Sequence, residues 1–433
     1  MNEREGTSCP APQAACQRWL DALAGAGWSP RGGTGRVPVG EALGRVTSEP
    51  VTARWPSPRA DCAAMDGIAV RAADLPAGEG TRLAAGSFEW IDTGDPMPTG
   101  TDTVVVRERL LPQADGSLIV TAGGASAGHG HRAGHAAGRR NVRTAGEDFA
   151  AGDVLVPARR RLRPGDLAAV AAGGHLTVAV ATRPVVAVIP TGDEIRPVGS
   201  ALRYGDIADT NSVMLAARCR QLGAVPVVSA VVPDDPDALA TGLQRAAAHA
   251  DLVLVIAGSS RGRGDHAGAV LAQVGEVSVA GVAVRPGHPV LLGHAKRPEA
   301  SAGRAADLAS AAGHRAGIAP VIGLPGYPLA TAVNFELFAV PLLAALQGHR
   351  HAADVVPARL DRDWASSADA EDWVLVTLTP DARGGRPLAA PARRGAGSIS
   401  LLARSDAWWV IPAGQGAFPA GTPIDVFPIP GGG

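Results

Sequence analysis

The sequence predicts a multidomain fold of α/β plus β class, in which a central domain built on a parallel sheet is flanked by mainly β regions. Three observations carry this. The chain has 433 residues, more than one ordinary hydrophobic core serves, so two to four domains are expected. Between residues 183 and 347, apolar strand-like runs alternate with amphipathic helical stretches, the βαβα rhythm of a parallel sheet buried between helices. At 52–141 and 358–430, short strand-like runs are instead broken by glycine and proline.

Along the chain, residues 12–27 place Cys16, Leu20 and Leu23 at helical spacing beside Trp19, which predicts an amphipathic packing helix. Strands are expected at 103–106 and 117–120. Within the α/β region, 184–189 and 251–256 read as buried strands, and 225–232 as a third. Helices are expected at 211–222, with Met214, Leu215, Cys219 and Leu222 on one face, and at 235–248. The tail reads as a small barrel or sandwich. Two low-complexity stretches, 123–140 and 296–319, read as surface insertions; the histidines of the first, His129, His131 and His135, fit a solvated loop better than a metal site.

Composition narrows the function. A formal charge of −1 and a pI near 6.8 leave no global basic field for nucleic acid or an anionic membrane, so a polyanionic ligand must be held locally. The four cysteines, Cys9, Cys16, Cys62 and Cys219, are scattered without a C-x-x-C pair; a reduced cytoplasmic protein is expected. Neither an export signal nor a run of about 20 uninterrupted apolar residues is read.

In a parallel α/β sheet, ligands sit beyond the carboxyl ends of the strands. After Ile189 comes Pro190-Thr191-Gly192-Asp193-Glu194, a glycine turn with two carboxylates. After Ile256 comes a glycine and serine loop, Gly258-Ser259-Ser260-Arg261-Gly262-Arg263-Gly264-Asp265. Small residues let backbone N–H groups approach phosphate, and the next helix adds its positive end. Such a loop also occurs as a plain turn, Asp265 also reads as an ordinary helix N-cap, and Glu194, Asp234 and Asp235 also read as solvated loop acids. Convergence lifts them, because three strand ends each bring carboxylate beside one phosphate loop, and phosphate-bound Mg²⁺ takes one or two carboxylates. Outside this region, 63–70 around Asp66 and 92–100 around Thr93 pair an acid or hydroxyl with tight turns.

At these residues the chain resembles the molybdopterin molybdenumtransferase family, MoeA in bacteria and the gephyrin E-domain in animals. The resemblance is collinear over nearly the whole length. It runs through Ala64-Met65-Asp66-Gly67, Thr93-Gly94, Asn141-Val142-Arg143-Thr144-Ala145-Gly146-Glu147-Asp148, Thr191-Gly192-Asp193-Glu194 and Asp209-Thr210-Asn211-Ser212. It continues through Pro233-Asp234-Asp235, the 259–265 loop, Arg285-Pro286-Gly287-His288-Pro289, Gly323-Leu324-Pro325-Gly326-Tyr327-Pro328, and Gly395-Ala396-Gly397 with Leu402-Ala403-Arg404.

The resemblance implies four parts: an elongated N-terminal domain from 1–50 and 142–182, an inserted mainly β domain at 51–141, a molybdopterin-binding α/β domain at 183–350 and a C-terminal β-barrel-like domain at 351–433. It implies a homodimer whose cleft draws on both chains, and possible docking to other cofactor-assembly proteins. The implied reaction takes adenylylated molybdopterin and molybdate, releases AMP and leaves molybdenum on the dithiolene, assisted by Mg²⁺. Asp66, Thr93, Asp148, Glu194 and Asp265 would be the catalytic set, with Glu194 and Asp265 on the metal. Gly258, Ser259, Ser260, Gly262, Asp235, Arg285, His288, Pro325 and Pro328 would bind the cofactor.

The chain departs from the family on the oxyanion side. The P-G-K-P lysine is His288 and the lysine three residues earlier is Arg285, in a protein whose only lysine is Lys296. Arginine keeps its charge, whereas an unperturbed histidine ionises near ~6.5, which makes anion capture pH-dependent. Tyr327 and Ala330 stand where the family carries asparagine and serine. Two functions follow: a working insertase, or a molybdopterin-binding carrier that has lost oxyanion insertion. The insertase is preferred, because storing a pterin gives no reason to gather so many carboxylates.

Overall fold

The computed structural model describes residues 9–30, 32–75, 80–121, 139–257, 266–298, 317–351, 353–366, 369–382, 384–392, 395 and 398–429. The chain divides into two compact units, residues 36–180 and residues 1–35 with 181–433.

The larger unit is organised by helix α1 (Pro12–Gly25), strand β1 (Val185–Pro190), α2 (Thr210–Gln221), β2 (Val225–Val228), α3 (Pro236–His249), β3 (Leu252–Ile256), α4 (Ala267–Val274), β4 (Gly275–Ala280), β5 (Leu291–Lys296), β6 (Ile318–Leu324) and α5 (Pro328–Asn334). The sheet order is β2-β1-β3-β6-β5-β4. The first four strands are parallel, as the alternating pattern predicts. β5 runs antiparallel to β6 and β4 antiparallel to β5, which the pattern did not reveal. Hydrophobic runs explain the parallel part: every residue of β3 and β6 is buried, as a strand covered on both faces requires. β2, an exposed edge strand, stops at Val228 rather than 232; beyond it Ser229 N–H reaches Val188 O at 2.9 Å and Val232 bridges back to Thr191.

Two cores cover the faces of this sheet. One gathers Val186, Val188, Leu252, Leu254 and Ile322 with α2, α5 and α1; the other sets Ile189, Val253, Val255 and Val321 against α3 and α4. The inward stripe of α1 is Ala15, Trp19 and Leu23, with Cys16 and Leu20 at its edge. Trp19 is fully buried and donates its indole N–H to the Gly293 carbonyl at 2.8 Å, satisfying the one polar atom its burial would strand. α5 continues through a π-turn, Phe335–Ala339, into Val340–Leu346. This 328–346 helix is long and apolar enough to cross a membrane by composition, yet 72% of it is buried within the fold.

The tail closes into a barrel. Strand Glu371–Thr379 pairs with both Leu388–Pro391 and Ala407–Ile411, and Pro423–Pro428 with Val356–Leu360 completes the ring around Val374, Val376, Trp409 and Val426. Val284–Arg285 runs parallel to its first strand, in register with Glu371 and Asp372.

In the smaller unit, two three-stranded sheets pack around Ile68, Val70, Leu83, Val105 and Val120. A second cluster, Val51, Val156, Leu162, Val170 and Val180, surrounds helix Pro164–Ala172. The low-complexity stretches read as insertions lie mostly outside the described residues, apart from their ends; Lys296 closes β5, and Ile318–Ala319 opens β6.

Candidate functional site

In the smaller unit, strand pairing brings distant motifs together. Cys62–Ala63 pairs with Val142–Arg143, and Gly94 N–H donates to the Ala63 carbonyl at 2.8 Å. The segments around Asp66, Thr93 and 141–148 therefore converge. Gly67 fixes where Asp66 stands, since a Cβ there would lie 2.0 Å from the Val105 carbonyl oxygen. Only glycine allows that approach.

Asp66 is exposed, and its Oδ1 accepts both the backbone N–H (2.7 Å) and the hydroxyl (2.8 Å) of Thr93. These bonds, the backbone one first, hold its carboxyl below the ordinary carboxylate range, with the nearby Arg107 adding to the effect. Asp66 and Thr93 thus form a paired, ionised and solvent-facing group. Asp148 is tied in by its backbone, its N–H donating to Ser57 O at 3.0 Å, beside Gly146 N–H on Pro58 O. Asp61, which the sequence reading did not single out, is the organiser: its carboxylate accepts Arg139 at 2.7 Å and the Ala145 N–H at 2.9 Å.

In the larger unit, the topological switch lies between β1 and β3, where the chain moves to opposite sides of β1. The strand ends there are stitched together. Thr191 donates its N–H (3.0 Å) and hydroxyl (2.9 Å) to Ile256 O, and Ala257 N–H reaches Leu324 O at 3.1 Å. Asp193 and Asp234 lock their loops together, each backbone N–H donating to the other's carboxylate at 3.4 and 3.2 Å. Asp235 caps α3 by accepting the Ala238 N–H at 2.7 Å. Glu194, whose backbone carbonyl accepts Ile207 N–H at 2.8 Å, forms no side-chain hydrogen bond or ion pair among the described residues. Gly258, Ser259, Ser260, Gly262 and Asp265 lie outside the described residues, as do Ala396 and Gly397.

The Arg285–His288 turn has a defined setting. Arg285 pairs with Asp369 at 2.7 Å and lines a cavity of about 230 Å³ with Pro286, Leu329, Asp372 and Trp373. His288 faces the N-terminal segment. Its Nδ1 lies 3.0 Å from Val282 O, which can only accept, so Nδ1 carries the proton. Its Nε2 lies 3.9 Å from Cys9 Sγ. Pro325 and Pro328 flank the start of α5, where Thr331 donates its hydroxyl to the Pro325 and Tyr327 carbonyls. That hydroxyl is spent on the backbone, and the neighbouring Ala330 is buried at 4% exposure. The serine hydroxyl missing from position 330 is therefore not replaced by its neighbour.

Chemically, the switch crevice offers hard oxygen donors, small residues and helix starts, which suit a phosphate ester and a hard cation. Among the described residues no cluster of three or more histidine, cysteine, aspartate or glutamate side chains forms a ready metal cage.

Comparison with known proteins agrees in order and extent. Three family models match in sequence: the MoeA N-terminal region (domains I and II) over residues 12–174, the probable molybdopterin binding domain over 187–345, and the MoeA C-terminal region (domain IV) over 357–429. A molybdopterin molybdenumtransferase from Nostoc sp. is 29% identical, over 91% of this chain and 88% of its own. Molybdopterin molybdenumtransferase 2 of Mycobacterium tuberculosis is 32% identical, over 72% of this chain and 75% of its own. The crystal structure of a molybdopterin biosynthesis MoeA protein from Pyrococcus horikosii superposes with a TM-score of 0.75 at 26% identity, covering 97% of this chain and 99% of that one. With the barrel closed, the switch crevice in place and the motifs in their order, the chain belongs to the MoeA family of molybdopterin molybdenumtransferases.

Proposed function

We propose that this protein inserts molybdate into adenylylated molybdopterin in a Mg²⁺-dependent reaction that releases AMP, acting as a homodimer. The observation that carries this reading is the stitched crevice at the carboxyl ends of β1, β3 and β6, with Glu194 held at its mouth and no side-chain partner among the described residues. Family membership and the names of its relatives support it. When bound, Mg²⁺ would be held by Glu194 and Asp265 and would offset the charge on the phosphates.

The chain's own residues supply the rest. The 258–262 loop binds the phosphoryl end of the substrate, and Asp235, whose carboxylate caps α3, accepts from donor groups of the cofactor rather than from its phosphate. Asp66, kept ionised by Thr93, and Asp148 are the acids that the smaller unit offers to the catalytic set, able to orient an oxygen or accept its proton. Arg285 holds the oxyanion by charge, and His288 takes the place of a lysine beside it.

The test supplies adenylylated molybdopterin, molybdate and Mg²⁺ to the purified chain and follows AMP. Turnover that stops on omitting molybdate or Mg²⁺ is expected. Tight pterin binding with no AMP would overturn the insertase reading in favour of the carrier. Unchanged turnover in Glu194→Ala would remove the metal assignment alone.

A further inference from the structure

The start of α2 carries two polar groups that the fold itself leaves unused. Asn211 and Ser212 are 8% and 3% exposed. The Asn211 Oδ1 and Ser212 Oγ atoms are buried and have no hydrogen-bond partner among the described residues. Native proteins pair almost all such atoms, and each unpaired one costs folding free energy, so two on adjacent residues call for a reason.

Their place supplies it. The Asn211 amide N–H₂ donates to the Gly326 carbonyl at 2.7 Å. Gly326 follows β6, while α2 follows β1, and β3 lies between those two strands. Asn211 therefore spans the switch crevice above the end of β3. The orientation of its amide is settled chemically, since a carbonyl can only accept: the nitrogen faces Gly326, and the end left over is an acceptor.

The ligand class follows from what that end can and cannot take. Asp209 caps the helix by accepting the Ser212 N–H at 3.0 Å. Its carboxylate occupies the helix start that would otherwise attract an anion, so a phosphate is disfavoured here. An unpaired amide oxygen requires an N–H donor, and the neighbouring hydroxyl serves either sense. We infer that Asn211 Oδ1 and Ser212 Oγ form the recognition subsite for the exocyclic amine of the pterin ring. This rests on the function proposed above and deepens it by naming residues that read the heterocycle rather than its phosphate.

The test uses 6-hydroxymethylpterin and its 2-oxo counterpart, in which the exocyclic amine is replaced by a carbonyl, with ring fluorescence reporting binding to the full chain. The wild type is expected to prefer the pterin about tenfold, because the 2-oxo group sets acceptor against acceptor. Asn211→Ala is expected to lose that preference. Ser212→Ala gives up no bond in the free protein, so it keeps or slightly raises thermal stability while weakening pterin binding about three- to tenfold and leaving AMP binding unchanged.

Equal affinity for the two rings in the wild type, or full pterin affinity in Ser212→Ala, overturns the inference. An equal fall in AMP affinity in Ser212→Ala overturns it too, by assigning the subsite to the nucleobase. No pterin binding by the wild type at all would instead count against the proposed function.

Discussion

Gly287→Ala is the sharpest probe of how the oxyanion-side turn is held. Gly287 has φ +122°, a region that L side chains rarely adopt, at a cost of about 1–3 kcal/mol. A Cβ there would also lie 2.6 Å from Asn334 Nδ2. Asn334 is fully buried, and its Nδ2 donates to Gly287 O at 2.9 Å and to Ala330 O at 3.0 Å. A methyl group evicts that amide and forfeits two buried bonds of about 1 kcal/mol each. The sum is about 3–5 kcal/mol, or roughly 2–4 °C of melting temperature per kcal/mol in cooperative units of 150–250 residues. Asn334→Ala alone loses the same two bonds, about 2 kcal/mol.

A double-mutant cycle separates the clash from the strain. With the carboxamide already gone, Gly287→Ala should cost only its backbone strain, so the double variant should be more stable than additivity predicts by about 2 kcal/mol. Thermal unfolding of the four proteins, followed by tryptophan fluorescence, measures it. Additivity within about 0.5 kcal/mol would mean that Asn334 does not hold this turn, and the steric argument would be wrong.

Three further outcomes are expected. Asp66 should titrate below the usual carboxylate range by NMR, and Thr93→Val, which removes one of its two Thr93 donors, should move its midpoint upward; an unmoved midpoint would refute the pairing. His294 is buried on β5 with Nδ1 unpartnered among the described residues, and burial lowers its pKa. Its folded pKa is below its unfolded one, so the unfolded state binds more protons as pH falls from about 6.5. Stability should therefore decline over that window, and the decline should shrink in a folded His294→Gln variant; an identical pH profile would exclude the residue. Cys219 is buried with its thiol pushed up to about 12. It should resist iodoacetamide at pH 8 until the protein unfolds, whereas labelling of the native chain at this position, read by peptide mass, would contradict the packing of α2.

Much of the architecture was legible because burial leaves a periodic trace. Strands β1 and β3 and helices α2 and α3 fall within a residue or two of the expected spans, since their apolar residues repeat as a covered sheet and one-sided helices demand. The antiparallel strands β4 and β5 were not legible. β4 is half-exposed and carries no clean alternation, while β5 runs into a low-complexity stretch whose composition masks the buried Leu292 and Ala295. The inward face of α1 was read one position off, because Trp19 rather than Leu20 takes the core place once its indole finds Gly293 O.

The candidate site divides in the same way. Asp66, Thr93, Glu194 and Asp235 stand out in the sequence because acids and hydroxyls in tight turns at strand ends are chemically conspicuous. Asn211 and Ser212 were visible only as letters in a motif. Nothing in their spacing tells that one amide end is spent on Gly326 and the other left open; that follows from burial and hydrogen-bond direction, which only folded geometry supplies. The same reasoning recasts His288. In the sequence it is a lost lysine beside Arg285; in the fold its ring is fixed by Val282 O and turned toward Cys9, so the replacement comes with contacts of its own. A substitution on the oxyanion side therefore acts through what now holds the ring, and His288→Lys should place a permanent charge here only by releasing the Val282 contact. If that variant raises molybdate affinity without loosening the 282–290 turn in hydrogen exchange, the coupling argued for His288 is absent and the substitution is one of charge alone.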